Sequence, residues 1–183
     1  MQRLVGRERR DEMSRSGYSD DCDGWALICW RGAVKSAIKG KRGQAFLRET
    51  LAALDAMPEK RLVPNELEAE GEFCTLGAVG HRRGLNLATI DPEDRSGVAD
   101  AFGISEALAA EIMFENDERY DDFTWVTAEI CGPVRPGSPD YGRHERTRRV
   151  DSQNQAEARW SRMRAWVASH IKKDAPANGE GAG

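Results

Sequence analysis

The sequence predicts a mainly α, α+β domain: a compact bundle of five or six helices with a small β-hairpin inserted before the C-terminal helix. Three observations carry this expectation. Apolar residues recur every three or four positions through most segments between residues 25 and 171, the spacing of helix faces. The period changes to alternation at 123–134, the spacing of a strand. The 183 residues have room for one hydrophobic core.

The elements follow in order. Residues 1–19 are polar and aperiodic, which reads as a flexible arm in which Met13 offers an alternative start. Asp20, Asp21 and Asp23 resemble half of a calcium loop but lack its glycine and distal glutamate. They read better as acids at the start of the next helix, where its dipole favours them. That helix covers 25–39, with Leu27, Trp30, Val34 and Ile38 on one face. The basic turn 40–43 separates it from a second helix over 44–57, closed by Pro58. Pro64 and Asn65 open a third helix that Gly84 closes, against the cost of Gly71, Gly77 and Gly80, about 1 kcal/mol each in a helix interior.

Two further helices fit 91–118. Asp91-Pro92-Glu93 reads as the N-cap of the first, and Gly103 divides the pair. Residues 123–134 are rich in Thr, Val, Ile and aromatics, as strands are. Residues 135–142 read as a loop and 143–150 as an exposed return strand. The last helix presents Trp160, Met163, Trp166, Val167 and Ile171 on one face, and the tail from 173 is disordered by composition. A single domain over 20–172 is expected. If its first and last helices pack together, Trp25, Trp30, Trp160 and Trp166 form an aromatic cluster.

Composition narrows the function classes. Charged residues make up 32% and hydrophobic residues 39%, with a net charge of −4, so the chain is neither a wholly disordered nor a membrane protein. The longest apolar run, around Trp25–Trp30, is too short to span a bilayer, and no apolar run follows the basic N-terminus as a secretory signal requires. Cys22, Cys29, Cys74 and Cys131 are widely spaced, which suits reduced thiols in the cytoplasm. A zinc site drawn from these cysteines and His81 has no regular ligand spacing, so no metal and no cofactor is expected.

Cys74, His81 and Asp117 are the candidates for thiol catalysis by a hydrolase or transferase. On one helix, however, Cys74 and His81 lie about 10 Å apart, too far for the contact a Cys–His pair needs. The glycine-rich 77–84 stretch lacks the Lys-Ser/Thr of a phosphate loop. The segment 92–114 has helix-turn-helix spacing in Ala99, Gly103, Ile104 and Ile112. Its second helix offers Glu106 and Glu111 where a DNA reader needs cations. The run of small residues Cys74, Gly77, Ala78 and Gly80 reads as a packing seam.

Two charged patches remain. Arg135, Arg143, Arg146, Arg148 and Arg149 cluster with Tyr141 and His144, and Arg with aromatics is the usual composition of interface anchors. Glu115, Asp117, Glu118, Asp121 and Asp122 form an acidic counterpart. These two patches are the expected binding surfaces.

The segments CTLGAVGHRRG (74–84), EIMFENDE (111–118) and RWSRMRAWVASHI (159–171) resemble small uncharacterised proteins of bacteriophages and prophages. The order of Cys-Leu-Gly-Ala and Asn-Asp elements is also distantly similar to a bacterial domain family of unknown function. The shared positions are Cys74, Leu76, Gly77, Ala78, Asn116, Asp117, Trp160 and Trp166, within roughly residues 14–172. The resemblance implies a phage-encoded protein of the host cytoplasm and supplies no activity. The expected function is therefore a non-enzymatic accessory or regulatory protein that binds a host or phage macromolecule, a protein before a nucleic acid, with inhibition of a host or defence protein and recruitment both left open. Nucleic-acid binding through 92–114 is the alternative, and Cys74 chemistry the second.

Overall fold

The computed structural model describes residues 15–18, 24–121 and 123–173. The expectations for residues 1–14, for Asp20, Asp21, Cys22, Asp23 and Asp122, and for the tail beyond 173 lie outside them. The described residues form six α-helices and two small antiparallel hairpins, with a 3-10 turn at Leu87–Thr89.

Helices α1 (Gly24–Lys39) and α2 (Lys41–Ala56) meet at a single residue, Gly40. The expected four-residue break is shorter because Lys41, Arg42 and Gly43 already belong to α2. Gly43 is required there: a Cβ would lie 1.9 Å from the Ala37 carbonyl oxygen of α1. Buried residues in α2 (Phe46, Leu47, Thr50, Ala53, Leu54) recur at helical spacing on one face. The buried Gln44 side chain ties three chain ends: its Nε2 donates to the Ile38 and His170 carbonyls, and its Oε1 accepts from Lys172 N–H.

The third helix is a correction. Residues 64–67 form a bend, with Asn65 at φ 63°, and lead into a short hairpin, β1 (Glu68–Ala69) with β2 (Glu72–Phe73). Glu70 (φ 54°) and Gly71 (φ 84°) both take the left-handed conformation that a tight two-residue hairpin turn demands. Helix α3 is only Thr75–Arg83, capped by Cys74 and closed by Gly84 at φ 71°. The seam of small residues is real: a Cβ on Gly77 would sit 1.7 Å from the Leu67 carbonyl oxygen. There the incoming hairpin lies against the first turn of α3.

Helix α4 (Arg95–Phe102) is capped by Asp94, whose Oδ1 accepts from Ser96 and Gly97 N–H. Asp91 instead bends its own loop by accepting from Glu93 N–H, which corrects the expected cap. Helix α5 (Glu106–Met113) starts at the Ser105 cap and continues as a π-helical turn, Phe114–Glu118. Strands β3 (Phe123–Glu129) and β4 (Glu145–Asp151) form the expected hairpin, and α6 (Gln155–His170) closes the domain.

Helix α2 sits at the centre, against α1, α3 and α6, while α5 packs on α1 and α4. Leu47, Leu54, Val79, Phe102, Leu108 and Val167 are among the fully buried residues that join them. Helices α1 and α6 approach each other at their C-terminal ends, where Gln44 bonds both, and the four tryptophans take separate partners, so the expected cluster does not form. Trp25 is 74% exposed, Trp30 packs edge-on to Tyr18, Trp160 bonds the Leu54 carbonyl and Trp166 stacks on His170. Among the described residues, no helix is long and apolar enough to cross a membrane.

The two classes of glycine predict opposite outcomes. Gly77→Ala or Gly43→Ala must displace backbone and should lower stability by about 1–3 kcal/mol. Gly32→Ala, which meets nothing within 4 Å, should raise it by about 0.5–1 kcal/mol. Thermal unfolding of the three variants checks both signs.

Candidate functional site

The candidate residues fall into two regions of opposite character. The first is a buried polar hub beneath α3. Its centre is Asn116, inside the π-helical turn that ends α5. That turn inserts an extra residue per turn and re-aims its side chains inward. Asn116 Oδ1 accepts from Thr75 N–H and the Thr75 hydroxyl at 3.2 and 2.8 Å. Its Nδ2 donates to the Val63 carbonyl at 3.0 Å and to Asp117 Oδ1 at 2.6 Å. All four hydrogen-bonding positions of the amide are filled. The buried Arg159 guanidinium donates to the Asn116 and Leu62 carbonyls, tying α6 to the same point.

Cys74 lies at the edge of this hub as the N-cap of α3. Its Sγ accepts from Gly77 N–H at 3.3 Å, and the residue is 4% exposed. Burial pushes its thiol up to about 11, partly countered by the Gly77 hydrogen bond. A nucleophilic cysteine has the reverse properties, exposure and a lowered pKa. His81 is exposed in the last turn of α3, stacked on Phe73 at 4.5 Å between centroids. Asp117 is held by Arg15 and Asn65. The structure thus does not assemble Cys74, His81 and Asp117 into a triad. Among the described residues, no group of three or more His, Cys, Asp or Glu is placed to hold a metal ion.

The acidic run is likewise turned inward. Asp117, with its side chain 2% exposed, receives Arg15 Nη1 at 2.6 Å and Asn65 N–H at 3.1 Å. Glu118 accepts from the Ser16 amide and hydroxyl, and Glu111 from the Tyr18 hydroxyl. Glu115 is buried and pairs with Arg119 at 2.6 Å. Burial raises the carboxyl pKa values of both Glu115 and Asp117, with Arg119 and Arg15 opposing it. Of the five expected acids, Asp121 is exposed and Asp122 lies outside the described residues. This cluster is a receptor for the chain's own residues 15–18, and those residues are pinned rather than part of a loose arm. Arg95 reinforces the clamp by donating to the Ser16 carbonyl.

Helix α5 is likewise turned mostly inward. Ala107, Leu108, Ala109, Ala110, Ile112 and Met113 are buried, Ser105 is used as a cap, and Glu111 holds Tyr18. The α4–turn–α5 shape is a packing motif with Gly103 at φ 67° in its turn.

The second region is the β3–β4 hairpin. Its strands pair with each other, and neither packs extensively on a helix. Ile130 N–H donates to the His144 carbonyl at 2.8 Å, in register with Phe123↔Asp151 through Glu129↔Glu145. Alternation from that bond makes 124/150, 126/148 and 128/146 the hydrogen-bonded pairs. Trp125/Arg149 and Thr127/Thr147 are then non-hydrogen-bonded pairs, with main-chain groups facing the open edges.

One face carries Phe123, Trp125, Arg149 and Asp151, with Glu129 and Glu145 toward the turn. The Arg149 guanidinium lies 3.9 Å over the Phe123 ring, and Trp125, 64% exposed, meets Phe123 edge-on at 5.8 Å. The other face carries Arg146 and Arg148 beside half-buried Val126, Ala128 and Val150. Arg135, Tyr141, Arg143 and His144 occupy the connecting segment and are all exposed. The ion pairs are long: Arg146 to Asp140 at 4.0 Å and Arg149 to Asp151 at 3.6 Å. Among the described residues no ion pair engages Arg135, Arg143 or Arg148.

The structure thus gathers the expected basic residues on one appendage and internalises most of the expected acidic ones. Trp125 was not among the sequence candidates; a large aromatic on an alternating strand opposite an arginine was its only signal. Comparison with protein-family models, curated proteins and solved structures finds no match to this chain.

Two outcomes follow for the hub. Asn116→Ala leaves the Thr75 donors and the Val63 carbonyl unpaired, and should cost about 3 kcal/mol or more in urea unfolding. Cys74 stays neutral in the fold up to about 11 but ionises near its ordinary value of 9.0 when unfolded. Its contribution is therefore full below pH 9.0 and is lost as pH rises toward about 11. Cys74→Ser keeps an N-cap acceptor and should flatten that alkaline decline, read as unfolding free energy against pH.

Proposed function

We propose that this chain is a non-enzymatic accessory protein that captures another macromolecule, in the first place a protein, through its arginine-bearing hairpin. The carrying observation is the division of labour among charges. Arg15 and Arg159 are buried in holding the fold, whereas Arg135, Arg143, Arg146, Arg148 and Arg149 are exposed on an appendage outside the core. Exposed arginines beside an exposed tryptophan are the usual anchors of an interface. The helical body then acts as the scaffold that presents them.

The non-enzymatic part of this reading rests on Cys74, a buried helix cap with its pKa raised. The resemblance of the Cys74–Ala78 and Asn116–Asp117 elements to small phage proteins supports placing the partner in an infected cell, as a host or phage component that the protein regulates.

Replacing Arg143, Arg146, Arg148 and Arg149 together with Ala tests the reading. These residues are all exposed, so the thermal midpoint should stay within the small range of surface substitutions. Affinity capture from host or infected cells, quantified by mass spectrometry, should lose the partner. Undiminished capture would exclude the hairpin.

A further inference from the structure

We infer that the partner binds as an acidic extended strand added to the open edge of β4, resting on the reading that the hairpin is the recognition element. The edge is physically available. Among the described residues the two-stranded ribbon leaves β4 unpaired on its outer side, and the register directs the main-chain groups of Glu145, Thr147, Arg149 and Asp151 outward there. Such an edge is a template for a further strand.

The placement of the arginines chooses among occupants. Arg146 and Arg148 project from one face of β4 and Arg149 from the other. A strand added in the plane of the ribbon also alternates its side chains between the faces. A strand of alternating acidic and uncharged residues can therefore turn its carboxylates to Arg146 and Arg148 and its uncharged side chains to the face where Glu145 and Asp151 flank Arg149. A single-stranded nucleic acid tracking over one face meets a poorer surface. The aromatic face carrying Phe123 and Trp125 also holds Glu129, Glu145 and Asp151, while the face with two arginines has no aromatic ring. A second copy is disfavoured in the antiparallel register centred on Thr147, which sets Arg146 against Arg148. Arg149 is already engaged on its own face, over the Phe123 ring at 3.9 Å and 3.6 Å from Asp151.

Thr147 separates edge pairing from simple charge attraction. Its N–H faces the open edge rather than β3, so Thr147→Pro removes an edge donor without removing a ladder bond. The test is fluorescence anisotropy with the whole chain. The probes are a labelled peptide of alternating glutamate and threonine, the same peptide N-methylated at alternate amides, and a labelled oligothymidylate. The expected result is binding of the plain peptide, with roughly tenfold loss on N-methylation or in Thr147→Pro, the scale of one or two lost main-chain hydrogen bonds. The four-arginine variant should lose binding altogether. Equal binding by Thr147→Pro and of the N-methylated peptide overturns strand addition while leaving the hairpin reading in place. Failure of the plain peptide to bind, or preference for oligothymidylate, also overturns it. Full peptide binding by the four-arginine variant removes the hairpin reading itself.

Discussion

The structure depends on one buried amide. Asn116 stands where α5 has run out, and its four hydrogen bonds reach the start of α3, the extended segment at Val63 and the neighbouring Asp117. Three chain segments that share no regular ladder are thereby fixed to one another. In a low-dielectric interior such a network stabilises only when every member is satisfied, since each orphaned group costs about 1–3 kcal/mol. The π-helical turn is what allows satisfaction. A regular continuation of α5 would rotate Asn116 off the line to Thr75.

The charged residues divide along the same principle. Removing Asp117 from water is costly, and its raised pKa records that burial outweighs Arg15. The carboxylate is tolerated because Arg15, Asn65 and Asn116 together occupy its oxygens. The exposed hairpin has no such constraint. Its arginines sit in water at long ion-pair distances, where a salt bridge adds little stability. Charge in this protein is structural when buried and available when exposed, and the two populations lie in different parts of the fold.

Sequence periodicity located α1, α2, α6 and the β3–β4 hairpin because each buries one regular face or alternates cleanly. It failed at 64–74, where Pro64, Asn65 and spaced apolar residues imitate a helix start. There the Glu70-Gly71 turn and the Cys74 cap decide the outcome instead, and both depend on left-handed or extended backbone that periodicity does not encode. The basic patch was legible because exposed strand residues keep their charges in one place. The acidic patch misled for a physical reason: a run of carboxylates looks the same in sequence whether it faces water or a buried guanidinium. Arg15 lies 102 positions from Asp117. No local pattern joins them.

That separation also shapes assembly. Arg15 closes on Asp117 across 102 positions, and Arg159 on Leu62 across 97. Loop closure of this length costs entropy before the contacts it allows can repay it. The helical hairpin of α1 and α2 needs no such closure and can form early. The hub is complete only once α6 has docked, because the Arg159 guanidinium that holds the Asn116 and Leu62 carbonyls comes from that helix. Arg159 thus makes the polar centre conditional on long-range packing: with α6 undocked, two carbonyls of the hub lose their donor.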